Sequence, residues 1–133
     1  MTRRAAGTFT TAFEPLTSDD DFIGRMRVRK TIAGDLTGEG LAEMMSVGTA
    51  VEGSAGYVAI DRITGTLDGR AGSFVLQHFG LMDRGAGTLT VRVVPDSGTG
   101  ELTGLTGSFA IVNEGGVHSY TFDYELPTGS AST

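Results

Sequence analysis

The sequence predicts an all-β domain, a closed antiparallel barrel of about eight strands, and three observations predict it. Short stretches rich in Val, Ile, Thr, Phe and Tyr recur from near residue 7 to residue 126, at the spacing of barrels and sandwiches rather than of βαβ units. Glycine occurs 21 times against 3 prolines, scattered between those stretches as turns and bulges require and without a collagen-like period. Leu67-Asp68-Gly69-Arg70 carries the Asp-Gly pair of a two-residue hairpin turn.

The expected strands are 7–15, 22–34, 40–52, 57–67, 70–82, 87–94, 104–113 and 117–126. Ser18-Asp19-Asp20-Asp21-Phe22 resembles a helix N-cap, but a β-rich run follows it at once, so one helical turn is the most it supports. In strand 22–34, Arg25, Arg27 and Arg29 share one face and alternate with Met26 and Val28. The run, with Lys30, reads as a solvated outer face, the alternative being an anion or partner site. Pairing Leu67 with Arg70 puts Ile63 opposite Phe74, Asp61 opposite Leu76, Ala59 opposite His78 and Tyr57 opposite Gly80, all on one face. Upstream, a turn at Gly53-Ser54-Ala55-Gly56 is expected to pair Glu52 with Tyr57, Ala50 with Ala59 and Gly48 with Asp61. Downstream, an Arg84-Gly85 turn sets Leu89, Val91 and Val93 on the face of Leu76 and His78. Pro95 to Leu102 reads as a structural corner, an anion-binding nest being the alternative. A turn through Glu114-Gly115-Gly116 brings Leu105, Phe109 and Ile111 onto one face with Tyr120, Phe122 and Tyr124.

A chain of 133 residues holds one hydrophobic core, so a single domain over 1–133 is expected, ordered over about 7–126 with a flexible tail at 127–133. A formal charge of −6 and a pI near 4.7 argue against a nucleic-acid partner, which demands a basic face. The absence of cysteine excludes disulfides, thiol catalysis and cysteine-based zinc sites. No apolar stretch approaches the ~20 residues of a membrane span, and the start has no apolar run behind its arginines, so no membrane partner and a cytoplasmic location are expected.

The face carrying Tyr57, Asp61 and His78 reads as the barrel interior. Small residues gather there, and a barrel that does not fill its centre holds a ligand. Asp61 and His78 are diagonal neighbours whose Cα atoms lie about 7–8 Å apart. A carboxylate beside an imidazole in an apolar pocket is the simplest acid/base pair, and the same pair also serves as a satisfied structural contact. Asp61, His78 and Tyr57 are therefore the candidate catalytic residues. Gly48, Ala50, Glu52, Ala59, Ile63, Phe74, Leu76, Val91, Tyr120, Phe122 and Tyr124 are the candidate substrate-binding wall. His118 falls near a turn beside Glu114, as a rim residue. Two histidines with no shared face give no metal constellation, no serine sits in a nucleophile elbow, and no cofactor is implied. On the opposite face Val58, Ile60, Val75 and Phe79, with Arg62 and Gln77, adjoin a strip of Leu41, Met45, Val47 and Val51. That is too apolar for water alone and predicts a homo-oligomer.

Three stretches carry a resemblance. They are Tyr57 to Arg70, then Gly72-Ser73-Phe74-Val75-Leu76-Gln77-His78, and Val93-Val94-Pro95-Asp96-Ser97-Gly98-Thr99-Gly100-Glu101-Leu102 followed by Gly107. With them the chain, over roughly 7–126, resembles an uncharacterised bacterial family of small proteins with an allene oxide cyclase-like β-barrel. The resemblance implies the barrel and a tendency to oligomerise, and it brings no established activity. Plant allene oxide cyclase closes an unsaturated epoxide into a ring inside such a barrel, but no motif here matches its catalytic residues. The functional expectation is a small-molecule isomerase or cyclase of secondary metabolism acting on a hydrophobic substrate, in which the barrel folds the substrate while Asp61, His78 and Tyr57 steer a proton. The alternatives are a non-catalytic carrier or sensor with the same cavity and a structural oligomer with a filled barrel.

Overall fold

The computed structural model describes residues 2–127. Eight strands run in sequence order: β1 (Arg3–Leu16), β2 (Gly24–Gly34), β3 (Leu36–Gly48), β4 (Ala55–Leu67), β5 (Arg70–Asp83), β6 (Ala86–Val93), β7 (Thr106–Glu114) and β8 (Val117–Glu125). Each pairs antiparallel with the next, and β1 returns to β8, with Arg3 opposite Tyr124 and Phe9 opposite His118, to close the barrel. The barrel begins at Arg3, ahead of the expected residue 7, because Arg3 to Ala6 supply the closing rungs. All of the expected flexible tail except Pro127 lies outside the described residues.

Turn chemistry set most registers as expected. Asp68 and Gly69 take φ of 47° and 83°, the left-handed pair that a type I′ turn demands, and Leu67 faces Arg70 with Ile63, Asp61, Ala59 and Tyr57 opposite Phe74, Leu76, His78 and Gly80. Leu89, Val91 and Val93 face Gly80, His78 and Leu76, and Phe109 and Ile111 face Phe122 and Tyr120. Ser18 to Phe22 forms a turn in which Asp20 Oδ1 accepts from the Phe22 amide at 2.7 Å, and it contains no helix.

The connection from β3 to β4 differs from expectation. Gly48 faces Ala55, Ser46 faces Tyr57, Met44 faces Ala59 and Ala42 faces Asp61. Ala50 and Glu52 are exposed loop residues. The loop is longer than glycine spacing suggests because Thr49 organises it: its Oγ1 accepts from the Val51 amide at 3.2 Å and donates to the Ser54 carbonyl at 3.0 Å. The slip is an even number of residues, so the inward face is kept while its occupants change.

Depth along the barrel is unequal. At one end Ala5, Leu36, Leu67, Leu102, Leu105, Phe122 and Tyr124 are buried without remainder or nearly so. Phe122 stacks on Phe109 at 4.2 Å between ring centres and on Phe74 at 5.8 Å. The corner from Pro95 to Leu102 straps this end: Ser97 Oγ accepts from the Val75 amide at 3.0 Å, Thr99 Oγ1 from the Ser73 amide at 3.0 Å, and Glu101 from the Ala71 amide at 3.0 Å. It thus takes the place of β6 beside the first half of β5. Between β6 and β7 the ladder is short, with Val91 opposite Phe109 and Arg92 opposite Ser108. The other end is open. Outside, Leu41, Met45, Val47, Val58, Ile60 and Phe79 are exposed.

Candidate functional site

The inward alternation of β4 and β5 delivers Asp61 and His78 to one place in the lumen. Asp61 is 0% exposed and His78 is 5% exposed, and His78 Nε2 lies 3.2 Å from Asp61 Oδ2. A third group completes the cluster. Lys30 points inward from β2 and donates from Nζ to the same Oδ2 at 2.6 Å. It reaches across β3 at Gly40, its own cross-strand neighbour. A Cβ there would sit 3.0 Å from Asp61 Oδ1 and 3.4 Å from Lys30 Cβ, so any larger residue would crowd the crossing. Lys30 Nζ also lies 5.4 Å from the centre of the Phe9 ring, within reach of a cation–π attraction.

Electrostatics settle the state of the carboxyl. Burial alone would push Asp61 up, but the hydrogen bond from His78 and the charge and hydrogen bond of Lys30 outweigh it and hold the group below the ordinary aspartate value. Asp61 is therefore a carboxylate, and its Oδ2 is shared between Lys30 Nζ and His78 Nε2. Asp61 Oδ1 accepts no hydrogen bond among the described residues. Tyr57 is pushed up by burial and by the charge of Asp61, so its phenol keeps its proton. Its ring lies 6.4 Å from that of His78 and covers Gly80, where an added Cβ would come within 2.5 Å of it.

Above the cluster is a chamber of about 240 Å³, bounded by Phe9, Thr11, Phe13, Val28, Lys30, Ala42, Met44, Tyr57, Ala59, His78, Leu89, Ile111 and His118. Below it the free space shrinks to a void of about 20 Å³. Of the expected wall, Ala59 lines the chamber with the candidate catalytic residues Tyr57 and His78. Gly48 stands at the rim, and Ala50 and Glu52 lie outside, for the loop reason given above. Phe74, Val91, Phe122 and Tyr124 are packed core, while Ile63, Leu76 and Tyr120 touch only the small void. The physical reason is volume: large side chains on successive inward positions close that end of the lumen.

Two residues were missed by the sequence reading. Lys30 has the parity of Met26 and Val28, not of the arginines, and that parity was the available signal. His118 has the parity of Tyr120 and Phe122; it stacks on Phe9 at 5.1 Å and lines the same chamber as His78. The two histidines therefore do share an interior, contrary to expectation. Among the described residues no group of three or more His, Cys, Asp or Glu side chains is arranged to hold a metal ion, and no helix is long and apolar enough to cross a membrane.

Residues 5–124 match the family described as Protein of unknown function (DUF3224). No curated protein matches the chain. Among solved structures the chain is similar to a protein of unknown function from the DUF3224 family of Shewanella oneidensis MR-1, at 45% identity and a TM-score of 0.91, over 96% of this chain and 98% of that one. These findings bear out an uncharacterised bacterial family. They do not reach the allene oxide cyclase likeness, with which a closed barrel is consistent.

Proposed function

The chain belongs to the DUF3224 family, and from that premise we propose that it is a cofactor-independent isomerase or cyclase of a small hydrophobic substrate held in the barrel. The observation that carries this reading is the buried Lys30–Asp61–His78 cluster at the floor of an apolar chamber. Asp61 fixes the His78 tautomer and leaves Nδ1 as a base. A proton taken from carbon next to a carbonyl leaves negative charge on oxygen, which the Lys30 ammonium and the Tyr57 hydroxyl, both lining the chamber, would stabilise. Returning the proton to another carbon isomerises the substrate; in a substrate with a second carbonyl, the enolate carbon instead attacks that carbonyl carbon, its C=O π bond opens onto oxygen, and that oxygen takes back the proton held by His78, closing a ring. Asp61 thus orients and neutralises; its depressed pKa removes it from the role of acid.

One observation favours the carrier reading instead: Lys30 and Asp61 neutralise one another, as a purely structural pair does. Extraction of ligand retained by the purified protein, followed by its incubation with the protein in D2O, separates the two. An isomerase incorporates deuterium, and Asp61→Asn loses that incorporation while still binding. Return of unlabelled ligand from the wild-type protein overturns catalysis and leaves the carrier. Assembly and location belong to the same proposal. A homo-oligomer would cover Val58, Ile60 and Phe79 in a cytoplasmic protein, and sedimentation at monomer mass at micromolar concentration would count against it.

A further inference from the structure

Charge is spread unevenly over the outside of the barrel. The chain carries −6 overall, yet the outer face of β2 to β4 is basic. Arg29 and Arg62 flank Leu41 in one cross-strand row. Arg25 and Arg27 are met by Glu43 and Glu14, whereas Arg29 and Arg62 have no ion-pair partner among the described residues. Beside these cations Leu41, Met45, Val58 and Ile60, the last 53% exposed, border a groove of about 610 Å³. The open end of the barrel has the opposite sign. Each of its four connections carries or adjoins exposed carboxylates: Asp19, Asp20 and Asp21 between β1 and β2, Glu52 between β3 and β4, Asp83 at the end of β5 and Glu114 at the end of β7. Arg84, in the β5–β6 turn, pairs with Asp83 at 3.0 Å. The same end exposes Phe22 at 77%, together with Phe13, Val51 and Val117.

We propose that the occupant of the acidic mouth is a second copy of this chain, which seats the basic, apolar outer face of its β2 to β4 against the rim. Arg29 and Arg62 of one copy then meet Asp19, Asp21 and Glu52 of the next, and Leu41 and Ile60 cover Phe22 and Val51. Packed on its own counterpart the outer face would set cations against cations, and so would two mouths set carboxylates against carboxylates. Joining unlike faces avoids both repulsions, and the contact is heterologous, each copy offering a different face to each neighbour. One copy thereby roofs the chamber of another. This deepens the homo-oligomer reading above and rests on it; it is independent of catalysis.

Charge reversal followed by sedimentation velocity at micromolar concentration and low salt tests it. Asp19→Lys/Asp21→Lys alters the mouth and leaves Asp20, whose carboxylate holds the Phe22 amide; Arg29→Glu/Arg62→Glu alters the outer face. Each double variant alone is expected to associate at least about tenfold more weakly than wild type, as juxtaposed like charges require. An equimolar mixture of the two is expected to regain association, because the reversed mouth of one suits the reversed face of the other. All four positions are exposed, so the melting temperatures should stay near that of wild type, and recovery in the mixture shows that both variants are folded. Raising salt to about 0.5 M should weaken wild-type association about tenfold by screening the exposed pairs. Phe22→Ser and Ile60→Ser should each weaken it at either salt concentration. A wild-type protein that stays monomeric overturns this proposal and the homo-oligomer reading together. An oligomer that the mouth variants and Phe22→Ser leave intact overturns this proposal alone and returns the outer face to a symmetric contact. A mixture that stays dissociated, with both variants melting as wild type does, also overturns it.

Discussion

The two ends of the barrel are built from the same strands with the same inward alternation, yet one is solid and the other hollow. Along β5 the inward residues run Phe74, Leu76, His78, Gly80; along β4, in the opposite chain direction, they run Leu67, Gly65, Ile63, Asp61, Ala59, Tyr57. The closed end fills with aromatic and branched side chains and the open end with small and polar ones. Position along the axis therefore decides whether an inward residue is core or wall. Facing the lumen is not enough to make a ligand contact, because the lumen has an end.

The largest expected effect tests the solid end. Phe122→Ala removes a fully buried ring from a stack and should cost about 3–5 kcal/mol in urea unfolding. Phe13→Ala, at a residue 58% exposed by the mouth, should stay within about 0.5 kcal/mol. Equal losses would erase the contrast. Next is Asp61→Asn, which strips Lys30 of its buried counter-charge and should cost about 3 kcal/mol. Much of that should return in the double variant with Lys30→Met, and a double variant no better than the single one would deny the coupling.

Enlarging an alanine at each end gives a smaller and more discriminating pair. Ala5→Leu, at a fully buried position of the closed end, should cost about 1–3 kcal/mol by overpacking, whereas Ala59→Leu should project into the chamber and cost less than about 1 kcal/mol. Comparable melting temperatures for the two variants would mean that the hollow end is not hollow. The smallest expected effect is acid sensitivity. The folded pKa of Asp61 lies below its unfolded value of about 3.9. Between those values the unfolded chain binds the extra proton, so the stabilisation present above pH ~4 is lost as pH falls through the folded value. Urea midpoints at successive pH values below 4 should show a decline in the wild-type protein that is shallower in Asp61→Asn.

Hairpins with two-residue turns were legible because their geometry admits one register, and so the diagonal meeting of Asp61 with His78 followed from Asp68-Gly69 alone. The neighbouring strand was harder to place. Thr49 reorganises its loop through hydrogen bonds that no glycine spacing announces, and Ala42 and Met44 stand opposite Asp61 and Ala59 where Gly48 and Ala50 were expected. Lys30 was overlooked because a run of basic residues reads as one surface, although alternation splits it: Arg25, Arg27 and Arg29 go out and Lys30 goes in. The taper that divides wall from core depends on side chains from all eight strands at one depth, and pairwise registers do not add up to depth. The ion pair is likewise a relation across three strands, legible only once both registers are in hand.

The brief ladder between β6 and β7 makes the cylinder less uniform than its closure implies. Above Val91 and Phe109 the two strands part, and Leu89 and Ile111, one from each, both border the chamber. Amide hydrogen exchange should map this as a soft seam: backbone protons of β6 and β7 near the open end should exchange through local opening at a fraction of the global unfolding free energy, while those of β4 and β5, locked by rungs along their whole shared length, should wait for the whole molecule to unfold. The same slit would let the wall yield sideways without unpairing the floor, so a bulky guest could be admitted while the ion pair beneath it stays in register.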